Sequence, residues 1–227
     1  TICASDDVRL YAQQKLGLPL GSLAVIPNGI DLKRFDAITP ARAADLSFER
    51  IPPLLTFIGR LHPQKGVDLI AENAKRILLA CPEHHIAIVG DGPYQQTMRR
   101  RITACGCAER VHFYGYRQDA ASILKASQLL LFPSRWEGMP NVVIEAMAAN
   151  KLVIACPADG VASLLSHAPQ QIVPPMDWPT AVIEFALDSD SCDEIGDSNR
   201  EVVSASYQLS HMINQYEDLY QRILQPS

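Results

Sequence analysis

Five short apolar runs, separated by stretches of helical periodicity, constrain this chain more than any other feature. They are Leu54–Ile58, His85–Val89, residues 111–114, Leu129–Phe132 and Leu152–Ala155. A strand with one wet face alternates apolar and polar residues, whereas a continuous apolar run needs cover on both faces. Helical stretches at 67–81, from 94 to about Cys105 and at Ala120–Ala126 supply that cover. The alternation predicts an α/β fold with a Rossmann-like, doubly wound parallel sheet. Ligands of such sheets bind beyond the carboxyl ends of the strands, in the loops that open into helices.

The flanking sequence is read more coarsely. Ser5 is an N-cap signal for a helix to about Leu16, ahead of Gly17. Residues 25–31 read as a short strand ending in an Asn-Gly turn, and 36–53 as a connector closed by Pro52 and Pro53. Beyond the fifth run, the pattern predicts a short helix at 161–166, a strand at 171–173, and helices at 179–187 and Leu209–Leu224. The acidic stretch 188–197 is expected to be exposed surface.

A hydrophobic content of 48% is ample for a large core, and 20 cations against 25 acids give a net charge of −5. That balance argues against a general nucleic-acid surface. No apolar run reaches the roughly 18 residues that span a bilayer. The six cysteines sit mostly in or beside apolar runs, as free cytosolic thiols do. Cys105-Gly106-Cys107 with nearby His112 lacks a second cysteine pair at zinc-site spacing, so no metal is expected.

Three strand–helix junctions carry unusual residues. Gly59-Arg60-Leu61-His62-Pro63-Gln64-Lys65-Gly66 places a glycine at the strand end and two cations before the helix. Such a loop can clamp a diphosphate, or can be a solvated turn. Gly90-Asp91-Gly92-Pro93 reads first as a turn with Pro at the helix start, with glycines that would also admit a ligand. The third junction runs from Pro133 to Asn141. Its helix offers free N–H groups and a positive dipole end, and Gly138 exposes backbone without side-chain obstruction. Glu137 precedes the turn. Glu145 lies on a helical face with Val142 and Ala149 that is expected to pack, where a carboxylate is costly unless a donor reaches it. Ribose or hexose hydroxyls are such donors.

In order and spacing, Gly59-Arg60…Lys65-Gly66, Gly90-Asp91-Gly92-Pro93 and Pro133-Ser134…Glu137-Gly138…Glu145 resemble the retaining glycosyltransferases of family four, with their Glu-x7-Glu pair. Ile26-Pro27-Asn28-Gly29-Ile30-Asp31 is similar to that family's interdomain segment. The resemblance implies the C-terminal half of a GT-B fold. Residues 1–30 would then be the end of a preceding domain and the interdomain segment, 31–53 a connector, 54–208 the donor domain, and 209–227 a final helix crossing back. The chain opens at Thr1 without a methionine and is read as a fragment lacking the acceptor-binding half.

By the same resemblance, Arg60 and Lys65 would hold the donor diphosphate and stabilise its departure, with Gly59, Gly90 and Gly92 beside it. Glu137 would contact the transferred sugar, and Glu145 the ribose. Ser134, Gly138, Met139, Pro140 and Asn141 would line the sugar and phosphates, with backbone N–H groups from Gly138, Met139 and Asn141 but none from Pro140. Tyr116 and Arg117 would lie near the base. The implied substrate is a UDP or GDP sugar, with no cofactor and no metal. The implied location is cytoplasmic, with any contact to the inner face of a membrane made through the missing half. Asp159-Gly160-…-Ser163 departs from the family's Gly-Gly-acid pattern, as does His167-Ala168-Pro169-Gln170 from a Gly-containing turn. Two rivals remain: a dinucleotide-dependent oxidoreductase, for which Gly-x-Gly-x-x-Gly is missing, and a non-catalytic module of the same fold.

Overall fold

The structure is a computed structural model that describes residues 1–224. The chain begins with a two-stranded parallel ladder, β1 (Ile2–Cys3) beside β2 (Ala24–Val25), joined through helix α1 (Asp6–Leu16). Ser5 caps α1 by accepting from Val8 N–H, and Gly17 closes it in the left-handed region. The expected strand at 25–31 is shorter than its apolar residues suggest. Only Ala24 and Val25 lie in a strand, and Pro27 has no N–H with which to extend the ladder.

After α2 (Leu32–Asp36) comes the main sheet: β3 (Leu54–Ile58), β4 (His85–Val89), β5 (Val111–Gly115), β6 (Leu129–Phe132) and β7 (Leu152–Ala155). All its pairings are parallel, in the order β5-β4-β3-β6-β7. The crossovers carry α3 (Val67–Ala80), α4 (Gln95–Ala104), α5 (Ala120–Ala126) and α6 (Asn141–Ala148). Alternate residues of the strands face opposite sides of the sheet and feed three buried clusters, one of which gathers Leu54, Ala87 and Val89 with Leu46 and Ile123. Leu55, Phe57, Ile86, Ile88, Leu131 and Ile154 pack under α3, α4 and α8 (Trp178–Leu187). Leu130, Phe132, Val153 and Ala155 pack under α6 and α7 (Val161–Leu164). The doubly wound sheet is therefore present as expected.

In the last third one expectation holds in part and one fails. The acids of 188–197 are exposed as expected, but the stretch is not bare surface. It forms the first half of α9 (Ser189–Ser206), with Cys192, Ile195, Gly196, Asn199 and Val203 buried. Asp and Ser are weak helix formers, and Gly196 weaker still, so local propensity hides the helix. Gly196 is there for packing: a Cβ would collide with the carbonyl of Asn150. Residues 171–173 are not a strand either. A tight turn at Pro169–Gln171 leaves a single bridge, Ala155 to Ile172, and Pro174 and Pro175 cannot extend it. The buried Gln171 side chain partly replaces the ladder, its Oε1 accepting from Val153 N–H at 2.9 Å. The last helix, α10 (Leu209–Leu224), buries no residue.

Candidate functional site

Strands β4 and β5 lie on one side of β3, and β6 and β7 on the other. Crossovers therefore diverge between β3 and β6, and the crevice outside their carboxyl ends is the ligand position of this topology. The loops that meet there are 59–66 and 133–140, two of the three junctions singled out in the sequence.

They are stitched together. Arg135 N–H donates to Gln64 O at 2.9 Å, and Gln64 Nε2 donates to Trp136 O at 3.1 Å. The Arg135 guanidinium grips Asp68 at 2.8 and 2.6 Å and also reaches Pro63 O. That guanidinium holds the Asp68 carboxyl below its ordinary range. Gly66, in the left-handed region at φ 69°, packs on the Pro133 carbonyl where a Cβ would collide.

Between the loops, Lys65 Nζ lies 2.6 Å from Glu137 Oε1, with their side chains 22% and 9% exposed. Ser134 Oγ, on a residue 1% exposed, donates to the same oxygen at 2.6 Å. Glu137 is therefore no exposed loop acid. One oxygen is fixed by two donors, which leaves Oε2 as its free acceptor. The sequence reading assigned Lys65 and Glu137 to different ligand groups and placed no contact between them. Arg60, in the same loop as Lys65, is exposed, and among the described residues its side chain makes one bond, at 3.3 Å to Gln64 Oε1.

Helix α6 begins at Asn141, with Pro140 as an N-cap that supplies no side-chain acceptor. Among the described residues, the N–H groups of Gly138, Met139, Asn141 and Val142 meet no acceptor; Val143 N–H already turns to Pro140 O at 3.1 Å. Free N–H groups at a helix start form an anion site. Met139 is itself buried. The helix stops at Ala148, because Asn150 turns left-handed and Lys151 N–H closes on Ala146 O.

Glu145 sits one turn into α6. Val143, Ala146 and Met147 are buried, while Val142, Glu145 and Ala149 form a half-buried flank, so the expected packing face is rotated from the observed one. Burial raises the pKa of the Glu145 carboxyl above its ordinary value. Among the described residues it has neither an ion-pair partner nor a side-chain hydrogen bond, so no internal Arg or Lys explains it.

The remaining expected residues lie in the loops that follow β3, β4 and β5. Gly59, Gly90 and Gly92 let loops approach one another. Gly59 N–H donates to Val89 O at 3.0 Å, and Cβ atoms at Gly90 and Gly92 would strike the carbonyls of Gly59 and Leu61. Tyr116 is 72% exposed, and Arg117 is held by Asp119 at 2.7 Å on both nitrogens. His112, considered with the cysteines, instead shares a 2.7 Å hydrogen bond with His85, and burial lowers both their pKa values.

Residues near the amino end of the chain also reach this site. Ser5 Oγ donates to Gly138 O at 3.0 Å, Gly160 N–H donates to Asp7 Oδ2 at 2.8 Å, and Asn28 contacts Met139 and Asn141. More than 100 residues separate these partners, and no local spacing in the sequence announces them.

Fold and site together define a Rossmann-like α/β domain whose crevice gathers cations, free N–H groups and carboxylates at the switch point. The chain belongs to the glycosyltransferases: residues 52–188 match the family model described as Glycosyl transferases group 1. It is 34% identical over 155 residues to the UDP-Gal:alpha-D-GlcNAc-diphosphoundecaprenol alpha-1,3-galactosyltransferase of Escherichia coli, covering 66% of this chain and 40% of that protein. It is 31% identical over 161 residues to a GDP-mannose-dependent monoacylated phosphatidylinositol monomannoside mannosyltransferase of Corynebacterium glutamicum, covering 65% and 42%. The chain thus spans less than half the length of these two relatives. Its fold superposes on Anabaena HepE in complex with UDP and glucose with a TM-score of 0.84 at 21% identity, covering 97% of this chain and 62% of the other. Its structural neighbours are GT-B glycosyltransferases.

Proposed function

We propose that this chain is the donor-binding domain of a retaining glycosyltransferase. It would hold a nucleoside-diphosphate sugar while the sugar passes to an acceptor hydroxyl of a glycan, lipid or small molecule, held by a preceding domain. The observation that carries this reading is Glu145: a half-buried carboxylate, without a donor among the described residues, one turn inside a helix whose first N–H groups are free. A ribose diol supplies two O–H donors to one carboxylate and accounts for both its position and its cost.

The geometry supports the other roles in this reading. Diphosphate oxygens take the N–H groups of Gly138, Met139 and Asn141, together with Arg60 and Lys65. Glu137 Oε2 accepts from hydroxyls of the transferred sugar, its rotamer fixed by Ser134 and Lys65. As the bond from the anomeric carbon to the diphosphate oxygen breaks, negative charge grows on the leaving group, and Lys65, Arg60 and the start of α6 stabilise it. The protein's own groups supply this stabilisation without a metal. Tyr116 would border the base. Among the described residues no helix is long and apolar enough to cross a membrane. Any contact with the inner, cytoplasmic face of a membrane would be made through the acceptor half.

Calorimetric titration with UDP, GDP and NAD tests this reading. Binding of UDP or GDP, without NAD, is expected. Preference for NAD would favour the oxidoreductase reading, and binding of none the non-catalytic module. The isolated chain is expected to transfer no sugar, and robust transfer by these 227 residues alone would contradict the division of labour.

A further inference from the structure

Residues 26–31, between β2 and α2, tie two distant parts of the molecule together. At one end the strap is clamped to the junction of α9 and α10. Ile30 N–H donates to Tyr207 O at 2.8 Å, and Leu209 N–H donates to Ile30 O at 2.9 Å. Gly29 lies so close to that junction that a Cβ would stand 2.7 Å from Gln208 O. At the other end is Asn28. Its N–H donates to Met139 Sδ at 3.1 Å, and its Nδ2 donates to Met139 O at 3.3 Å and to Asn141 Oδ1 at 2.8 Å.

The turn that Asn28 grips is held on its flanks, by Ser5 Oγ at Gly138 O and by Val143 N–H at Pro140 O, while Asn28 is the side chain that bonds Met139 O and the Asn141 side chain. Pro140 offers no N–H and no capping side chain, and residues 133–140 lie outside any helix or strand. An Asn amide carries two donors on one nitrogen, and here both are spent on acceptors that flank Pro140. We infer that Asn28 is a positioning residue for the donor site. It fixes the Met139–Pro140–Asn141 turn so that the free N–H groups of Met139 and Asn141 converge on the phosphates. Gly29 and Ile30 anchor the same strap at the α9–α10 junction, which holds Asn28 in place. The assignment rests on the reading above, that the start of α6 receives the diphosphate.

The variants Asn28→Ala, Asn28→Ser and Asn28→Asp separate this role from bulk packing. Alanine removes both donors, and serine keeps one. Aspartate keeps the shape, replaces the donors with acceptors facing Met139 O, and adds negative charge beside the anion site. Each variant is titrated with UDP and uridine, or with GDP and guanosine if guanine is the base that the wild type binds. Diphosphate affinity is expected to fall about 3–10-fold for alanine, less for serine and about 10–100-fold for aspartate, the scale of lost hydrogen bonds and an added charge. Nucleoside affinity is expected to stay within about twofold, since Asn28 contacts the turn and not the Glu145 flank. Diphosphate affinity unchanged in the folded variants, or nucleoside and diphosphate affinity falling in parallel, overturns the assignment alone. A wild type that binds neither nucleotide overturns the donor-site reading and the assignment with it.

Discussion

Lys65 and Glu137 stand 72 residues apart in sequence and 2.6 Å apart in space, joined across the crevice where the sheet changes winding direction. The pair joins two opposite charges beside the start of α6 and leaves Glu137 one oxygen without a donor among the described residues. On the proposed reading, a diphosphate bound there would compete with Glu137 for Lys65. Glu137→Gln is therefore expected to bind UDP or GDP as well as the wild type, or better, by up to about 1 kcal/mol, the scale of a partly screened charge. The same variant is expected to lose affinity for the nucleotide sugar relative to the bare diphosphate. Calorimetry with both ligands checks this; a parallel loss for both would mean that Glu137 serves the diphosphate by positioning Lys65 rather than by contacting the sugar.

Glu145 links stability to pH in a defined direction. Burial raises its pKa in the folded protein above the ordinary value of 4.5, so the folded state holds the proton more tightly than the unfolded chain. Stability from this group is fully present below about pH 4.5 and is lost as pH rises through the folded pKa. Glu145→Gln removes that loss. It is expected to raise the melting temperature at pH 7, by about 2–4 °C for each ~1 kcal/mol regained, with the gain shrinking toward pH 4.5. The same change is expected to weaken nucleoside binding. Thermal melts at pH 4.5 and 7, beside a nucleoside titration, test both. A variant less stable than wild type at pH 7 would mean that an internal donor satisfies the carboxylate.

Gly66 holds the two loops at their closest point. Its φ of 69° and the Pro133 carbonyl against its Cα forbid a side chain twice over. Gly66→Ala is expected to cost about 2 kcal/mol or more, adding a forced loop shift to the ~1 kcal/mol of left-handed strain. Gly106→Ala is the control, because Gly106 has a similar φ of 75° but open space around it, so only the strain should appear. Equal losses in urea unfolding would show that the Pro133 contact is soft.

The legible and illegible parts of this fold divide along a physical line. Leu54–Ile58 and Leu129–Phe132 were readable because a strand buried on both faces has no polar position to hide it. The start of α6 was readable because Gly138 and Pro140 interrupt any regular element that precedes it. Helix α9 was not, because Ser189, Asp190 and Gly196 oppose it locally and tertiary packing of Cys192, Ile195 and Val203 overrides them. The site shows the same split. Arg60, Lys65, Glu137 and Glu145 stand out as residue types at loop and helix starts. The Lys65–Glu137 contact, the Ser134 hydrogen bond and the grip of Asn28 depend on which strands are neighbours, and a one-dimensional pattern does not carry that order.

The central claim is that the crevice between β3 and β6 binds a nucleoside diphosphate, with the phosphates at Lys65 and the start of α6. Titration of wild type and Lys65→Ala with a nucleoside diphosphate and its parent nucleoside tests it most directly. The claim predicts a loss of ~1.5–3 kcal/mol for the diphosphate, the scale of a charge-assisted hydrogen bond, with the nucleoside nearly unchanged. Equal losses for the two ligands, or no nucleotide binding by the wild type, would contradict it.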